Sequence, residues 1–316
     1  MRRVLILLFS VVTLLAGCTH KELCEDHGHI VEIDVVFDWT NAVDASPESM
    51  SLYLFSEDGT NPQRYELMGR DGGRIKISKG IYHAICFNGD THNIECINRD
   101  NLSTFLIRSK DADDVTVSTG WGFSSVGLST AMTSKDERLT REPDMLWVGD
   151  INNIVVDESC QPIVLTPEPS VMQIKITILN AENLSNASAI VGTLSGLADG
   201  ILASDQILNE ATATIPFEVS MAKEASTLYT EFNAFGDCKN SDKSHYLDLF
   251  VLLKDGSIWK YSYDVTQEMH NNQNYGTKTI NITLDGLPIP KLEDVGSGGF
   301  VPTIDGWESV DIDIQM

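Results

Sequence analysis

Short stretches of alternating apolar and polar residues recur along this chain. In Val31–Trp39 an apolar residue occupies every second position, and most of the positions between are acidic. Because successive side chains of a strand point to opposite faces, this pattern predicts a strand with one face buried. Met172–Ile178 repeats the alternation. No stretch shows a sustained helical period, so the sequence predicts an all-β protein.

The remaining elements are predicted to be two series of short strands separated by turn residues. Lys79-Gly80 and Asp255-Gly256 are predicted to be hairpin turns, and residues 91–98 a short helical turn. The other predicted strands are Met50–Phe55, Arg74–Ser78, Ile81–Phe87, Thr104–Ile107, Val115–Val117, Met145–Val148, Ile163–Leu165, Ala187–Leu194, Ala211–Val219, Thr227–Phe235, Tyr246–Leu253, Ile258–Val265, Ile280–Leu284 and Val310–Ile314. Short strands at such spacing indicate two β-sandwiches.

The length and one proline pair predict where the chain divides. Its 316 residues exceed the roughly 100 to 200 residues of a single core. Pro167 and Pro169 stiffen the backbone and cannot donate hydrogen bonds to a central strand. We therefore predict an N-terminal sandwich over residues 30–166 and a C-terminal sandwich over residues 167–316.

The first residues predict export and attachment to a membrane. Arg2 and Arg3 precede the apolar run Val4–Leu15, which is shorter than the roughly 20 residues of a membrane-spanning helix but typical of a signal peptide. Leu15-Ala16-Gly17-Cys18 then looks like a bacterial lipobox; the alternative is an ordinary signal peptide with a chance cysteine. We predict a lipoprotein signal peptide over residues 1–17, lipidation of Cys18 and stable anchoring by several acyl chains.

Residues 18–29 are predicted to be a polar tether. They contain four metal-ligand side chains, but their spacing matches no familiar zinc pattern, so we predict no metal site: His20, Cys24, His27 and His29. Apart from Cys18 there are five cysteines without regular spacing, which argues against a disulfide framework. A Cys86–Cys96 bridge stays open as an alternative to free thiols.

Charge and motifs exclude several classes of function. The net charge of −24 would become −26 without Arg2 and Arg3, and such a surface repels nucleic acids and anionic headgroups. Gly192-Thr193-Leu194-Ser195-Gly196 differs from the G-x-S-x-G of a nucleophile elbow because its serine is displaced. We predict no catalytic residues, no enzymatic activity, no cofactor and no nucleic-acid partner.

Several short sequences follow one another in an informative order. Leu23-Cys24-Glu25-Asp26-His27 follows the lipobox, and Val35-Val36-Phe37-Asp38-Trp39 lies in the first predicted strand. The others are Gly80-Ile81-Tyr82, Phe87-Asn88, Leu146-Trp147-Val148-Gly149, Gly192-Thr193-Leu194-Ser195-Gly196, Asp264-Val265-Thr266 and Asp305-Gly306-Trp307. Together they resemble the fimbrillin-related lipoproteins of Bacteroidales, which include fimbrial anchor and accessory subunits and a related domain family of unknown function.

The resemblance covers nearly the whole mature chain. It implies two transthyretin-like β-sandwiches in tandem, a place in a surface-fibre assembly system and no enzymatic activity. We expect a structural protein lipid-anchored in the outer membrane and exposed at the cell surface, acting as a fimbrial anchor or accessory subunit with pilin partners in adhesion. The alternative is a surface glycan-binding lipoprotein of a polysaccharide-uptake system. Trp121, in a glycine-containing loop, is then the candidate for binding a glycan or host ligand, with packing inside its loop as the other interpretation, whereas Trp39 and Trp259 are predicted core residues.

The last residues again alternate, with four apolar side chains at every second position: Val310, Ile312, Ile314 and Met316. One interpretation is a strand that pairs inside its own second sandwich. The other rests on the resemblance, which implies that such a strand can fill a groove in a neighbouring subunit that has lost its first strand. Because Cys18 ties the N-terminus to lipid, an anchor would donate its end and keep its beginning. Main-chain pairing and alternate side-chain pockets would then supply affinity and register.

Overall fold

The computed structural model describes residues 30–112, 137–159, 161–221, 226–237, 244–271 and 278–291, and the backbone of residues 308–311. The regular elements among these residues are strands, apart from one short α-helix and two 3₁₀ turns, Leu102–Thr104 and Leu184–Asn186. The predicted all-β fold class is confirmed. The predicted strand Val115–Val117 lies outside the described residues.

Two sheets pack face to face in the first half of the chain. In the three-stranded sheet, β1 (Ile30–Phe37) lies between β10 (Ile163–Leu165), which is parallel to it, and β4 (Gly72–Ser78), which is antiparallel. The facing sheet has the order β11 (Glu168–Pro169), β9 (Trp147–Val156), β5 (Gly80–Asn88), β2 (Ser49–Ser56) and β3 (Gln63–Met68). The alternate apolar residues of β1 enter the core between the sheets, as predicted.

The predicted hairpin at Lys79-Gly80 is wrong. β4 pairs with β1, whereas β5 pairs with β2 and β9 in the opposite sheet. Ile77 of β4 and Tyr82 of β5 are both buried in the core between the two sheets. The chain therefore crosses from one sheet to the other at Lys79. This crossing lets β4 and β5 cover opposite sides of the same core.

The second half is a larger sandwich. In its three-stranded sheet, β12 (Met172–Glu182) lies between β17 (Leu228–Ala234), which is antiparallel, and β20 (Thr279–Pro288), which is parallel. The six-stranded sheet has the order β21 (Glu308–Asp311), β19 (Ile258–Asp264), β18 (Tyr246–Leu253), β13 (Ala187–Ala198), β16 (Thr212–Glu218) and β8 (Arg138–Leu139). The predicted hairpin between β18 and β19 is confirmed, and helix α1 (Thr266–Asn271) follows β19.

Both sandwiches repeat one arrangement of strands. In each, the first long strand of the half, β1 or β12, is the centre of a three-stranded sheet, with one antiparallel and one parallel neighbour. The parallel neighbour, β10 or β20, comes near the end of its half. The two halves are therefore similar units in tandem.

A fifth sheet joins the halves and is called the bridging sheet below. It contains β6 (Ile94–Ile97) and β7 (Leu106–Ser109) from the first half, and β14 (Gly200–Leu202) and β15 (Ile207–Leu208) from the second, in the order β15-β14-β7-β6. The predicted helical turn over residues 91–98 is wrong, because β6 pairs antiparallel with β7.

The bridging sheet covers the outer face of the five-stranded sheet. Tyr53, Phe55 and Phe87 from that sheet form an aromatic cluster with Phe105, and the rings of Tyr53 and Phe105 lie 5.1 Å apart. Ile201 of β14 joins the same buried cluster. β8 and β11 likewise pair with strands on the other side of the 166/167 boundary. That boundary stays a prediction, and strand pairing crosses it.

Candidate functional site

The predicted N-terminal anchor precedes the first described strand. Cys18 and the tether lie outside the described residues, and the helices within those residues are too short to cross a membrane. β1 begins at Ile30 and is the central strand of its sheet. Ile33, Val35 and Phe37 are buried in the core. A lipid attached ahead of β1 would therefore be connected to a strand that is held on both sides.

The predicted C-terminal strand lies at a sheet edge. The backbone of β21 pairs in parallel with β19, from Trp259 opposite Glu308 to Ser262 opposite Asp311. This pairing is within the second sandwich, as in the first interpretation of the sequence. Val310 belongs to this backbone, whereas Ile312, Ile314 and Met316 lie outside the described residues. The hypothesis that this strand is donated to a partner stays a prediction.

A buried ion pair lies where the two halves meet. The Arg138 guanidinium donates from Nη1 to Asp199 Oδ2 at 2.9 Å and from Nε to Asp111 Oδ1 at 2.9 Å. The Asp199 side chain is only 1% exposed, and its other oxygen accepts from Asn209 Nδ2 at 2.7 Å. Because Asp111 and Asp199 come from different halves, Arg138 stabilises their junction rather than forming an open pocket.

Ser195 is not placed to act as a nucleophile. Its hydroxyl accepts a hydrogen bond from the backbone nitrogen of Tyr246 at 3.1 Å, and its carbonyl oxygen lies 3.0 Å from His245 Nδ1. A Ser-His-Asp triad requires the serine hydroxyl, not its carbonyl, to contact the imidazole. The predicted strand Ala187–Leu194 is confirmed as part of β13. The chain continues in this strand past Gly196, with a bulge between Leu194 and Leu197 in its pairing with β16.

Asp237, His245 and His270 converge at one end of the second sandwich. Asp237 follows β17, His245 directly precedes β18, and His270 lies in α1. His245 Nε2 is 3.0 Å from Asp237 Oδ1, and His270 Nε2 is 3.4 Å from Asp237 Oδ2. The His245 side chain is 0% exposed and that of Asp237 3%, whereas His270 is 37% exposed.

These three side chains are the residues within the described ranges that could hold a metal ion, since one ligand atom of each lies within 4.8 Å of the others. Sequence reasoning missed them and considered the tether histidines instead. The signal is weak because no short zinc-type spacing connects the three residues, and only the fold brings them together. The tether set lies outside the described residues.

The described cysteines are not reactive nucleophiles. Cys86 is fully buried, Cys96 is partly buried, and both are free thiols, so the Cys86–Cys96 bridge does not form. Burial raises the pKa of Cys86 far above its usual range and the pKa of Cys96 to about 11. Both therefore carry protonated thiols at neutral pH, and thiolate chemistry needs the deprotonated form.

The tryptophans considered for glycan binding fall into two groups. Trp39 is buried in the first core, and its indole nitrogen donates to the Arg70 carbonyl at 2.7 Å. Trp259 is partly buried and packs against the second core. The core interpretation is thus confirmed for Trp39 and agrees with the packing of Trp259. Trp121 lies outside the described residues.

Comparisons with known proteins agree with this architecture. A Bacteroides ovatus protein that bears the provisional name fimbrium anchoring subunit Fim4B is 22% identical over 336 residues, covering 96% of this chain and 94% of its own. A crystal structure from Bacteroides ovatus, provisionally described as an adhesin, has a TM-score of 0.63 at 19% identity and covers 87% of this chain and 99% of its own.

A crystal structure from Bacteroides thetaiotaomicron, provisionally described as polysaccharide-binding proteins, has a TM-score of 0.52 at 12% identity and covers 80% of this chain and 90% of its own. At such identities the solved structures establish the fold. The Bacteroides ovatus relative with the fimbrium-anchoring name confirms the predicted resemblance to fimbrial proteins. Residues 17–218 match the family described as a domain of unknown function, DUF5119. Because this match spans more than half of the chain, the protein belongs to the DUF5119 family.

Proposed function

We propose that this protein is a structural, non-enzymatic subunit of a fimbria, held in the outer membrane by a lipid on Cys18 and exposed at the cell surface. Its partners are other fimbrial subunits, and its role is that of an anchor or accessory subunit in assembly and adhesion. The observation that carries the proposal is the similarity to the provisionally named fimbrium anchoring subunit, which extends over 96% of this chain. The similarity therefore covers both sandwiches.

The strand arrangement supports an anchor that retains its first strand. β1 has eight residues, two neighbouring strands and an apolar face in the core. Removing it would unpair β4 and β10 and expose that core. Donor-strand exchange by loss of the first strand is therefore costly for this chain.

The C-terminal strand differs from β1 in its length and in its number of neighbouring strands. Among the described residues β21 spans four positions and has one neighbour, β19, at the edge of the six-stranded sheet. An edge strand with one neighbour can leave a sheet without unpairing two others, and extended segments commonly bind by adding to a sheet of another protein. We infer that residues 309–316 are the segment donated to a fimbrial partner, with Val310, Ile312, Ile314 and Met316 in alternate pockets.

The test is removal of Ser309–Met316 from the full-length lipoprotein in its native bacterium. We expect a folded, lipidated monomer that no longer co-purifies with fimbrial subunits. A matched control replaces Asp311 and Asp313 by Asn, which changes the other face of the alternating segment and should preserve co-purification. Unchanged co-purification of the truncated protein, or its failure to fold, would refute strand donation.

A further inference from the structure

His245 has an orientation that assigns its protons. Its Nδ1 lies 3.0 Å from the carbonyl oxygen of Ser195, and a carbonyl can only accept a hydrogen bond. Nδ1 therefore carries the hydrogen. In a neutral imidazole the lone pair is then on Nε2, which lies 3.0 Å from Asp237 Oδ1, also an acceptor. Two electron-pair donors thus face each other where the His245 side chain has no solvent contact.

The third side chain adds another electron-pair donor. His270 Nε2 lies 3.4 Å from Asp237 Oδ2, and the rings of His245 and His270 meet edge to face with centroids 5.4 Å apart. Two ligand atoms on one tetrahedral zinc ion, each about 2.0 Å from the metal, lie roughly 3.3 Å apart. The two observed distances, each to a different oxygen of the Asp237 carboxylate, are close to this value. A cation among the three groups would accept one lone pair from each of them.

We propose that Asp237, His245 and His270 form a binding site for a divalent transition-metal ion, best matched by Zn²⁺. Two imidazoles and one carboxylate are a common donor set for zinc, whereas Ca²⁺ and Mg²⁺ prefer oxygen ligands throughout. His270 is 37% exposed, so the site opens to solvent on its side. Three protein ligands leave a fourth position for water or for a ligand from a partner.

The surroundings hold His245 in the orientation that a ligand needs. The second nitrogen of a metal-binding histidine commonly donates to a backbone carbonyl, as Nδ1 does to Ser195. The backbone nitrogen of His245 donates to Thr266 Oγ1 at 2.8 Å. Gly196 has a φ of +79°, and a Cβ there would lie 2.8 Å from His245 Nδ1. The glycine thus leaves the room that the imidazole occupies.

The site would connect three separate segments of the second sandwich. Asp237 extends from β17, His245 leads into β18, and His270 belongs to α1, whose Met269 is fully buried in the core. Metal binding would therefore fix the helix and both strand ends to one another. This inference is independent of the proposed fimbrial role.

The experiment measures zinc binding by the full-length lipoprotein in detergent after treatment with EDTA. We expect added Zn²⁺ to raise Tm by about 5 °C when it is well above its Kd. Elemental analysis should show one more zinc per chain in the wild type than in His270→Ala. Both proteins contain the tether histidines and cysteine, so the difference reports on this site alone. His92→Ala, which alters an exposed histidine elsewhere, should behave like the wild type.

Asp237→Asn is a second variant that tests the same site if His270→Ala folds poorly. Its amide can donate to His245 Nε2, so without metal this variant should be as stable as the wild type, and zinc should not raise its Tm. Co²⁺ should give visible absorption bands in the wild type and not in this variant. Equal zinc content in the wild type and both variants would overturn the proposal. The proposal would also be overturned if Asp237→Asn lowers Tm and zinc does not change the Tm of the wild type. That result would identify an ion pair between a protonated His245 and Asp237 that needs no metal.

Discussion

Arg138 shows how one side chain connects the two halves at their junction. Its guanidinium contacts Asp199, whose side chain has almost no solvent contact, and also donates to the Ser109 carbonyl at 3.1 Å. Ion pairs in such surroundings add little net stability compared with apolar residues, but removing one partner leaves a buried charge without its counter-ion. The pair is therefore more sensitive to a single substitution than to joint replacement.

Arg138→Ala should lower the free energy of unfolding by about 3 kcal/mol, because the Asp199 carboxylate loses its cation. Chemical denaturation measures the change. Adding Asp199→Asn should recover part of the loss, since the buried charge is then gone. Arg74→Ala is the matched control, because its ion pair with Asp34 is solvent-exposed and should contribute nothing measurable. Equal losses for Arg138→Ala and Arg74→Ala would contradict this interpretation.

At the scale of elements, β1 shows what the sequence can predict. Its apolar residues occupy one face and acids the other, because one side of its sheet packs on the core and the other faces solvent. β2 is different, since both of its faces are covered. Leu52 and Leu54 enter the first core, whereas Tyr53 and Phe55 pack below the bridging sheet. An apolar run predicts burial but not which partner covers each face.

The elements that the sequence misplaced depend on distant partners. β4 and β5 are adjacent in the chain but belong to opposite sheets, which local turn residues such as Lys79-Gly80 do not reveal. β6 is a short strand whose partner sheet also contains β14, about one hundred residues later in the chain. The cluster at His245 was missed for the same reason. Local patterns predicted most strands. The candidate metal site could not be predicted in this way, because its three residues come from separate segments that only the folded structure brings together.

Gly200 is a position at which β14 closely approaches β7. A Cβ at this residue would lie 2.4 Å from the carbonyl oxygen of Ile107 and 2.6 Å from Arg108 Cβ. Gly200→Ala should therefore separate the two strands of the bridging sheet and lower the free energy of unfolding by about 2 kcal/mol. Calorimetry or denaturant titration measures this loss.

Gly73→Ala is a suitable control for that substitution. It also lies in a strand, but the nearest atom to its added Cβ is Leu67 Cδ2 at 3.2 Å, the end of a flexible side chain. It should therefore change stability much less than Gly200→Ala. If both substitutions have the same effect, the close approach of β7 and β14 is not what restricts Gly200.

At the scale of the whole molecule, two similar sandwiches share a third buried cluster. The aromatic residues of the first half pack with Ile201 and Phe235 of the second, and Arg138 connects carboxylates from both halves. A tensile load applied between the N-terminus and a C-terminal partner would thus pass through a continuous set of sheets. Such an arrangement suits a protein that connects a membrane lipid to a fibre.

The large net negative charge bears on how the protein would be attached to a membrane. A formal charge of −24 does not favour electrostatic attraction to anionic lipids, so the proposed attachment to a membrane would depend on the covalent lipid. The proposed anchor therefore depends on one atom, the Cys18 sulfur. Attachment should be lost completely when that atom is replaced, whereas the fold should be unaffected.

The most direct test of the account replaces Cys18 by Ala in the native bacterium and counts fimbriae that are attached to cells or shed into the medium. A labelled fatty-acid analogue reports lipidation in parallel. We predict no label on the Cys18→Ala protein and a shift of fimbriae from cells to medium, as an anchor requires. Label that persists on the Cys18→Ala protein, or unlabelled protein on cells whose fimbriae stay attached in normal number, would contradict the account.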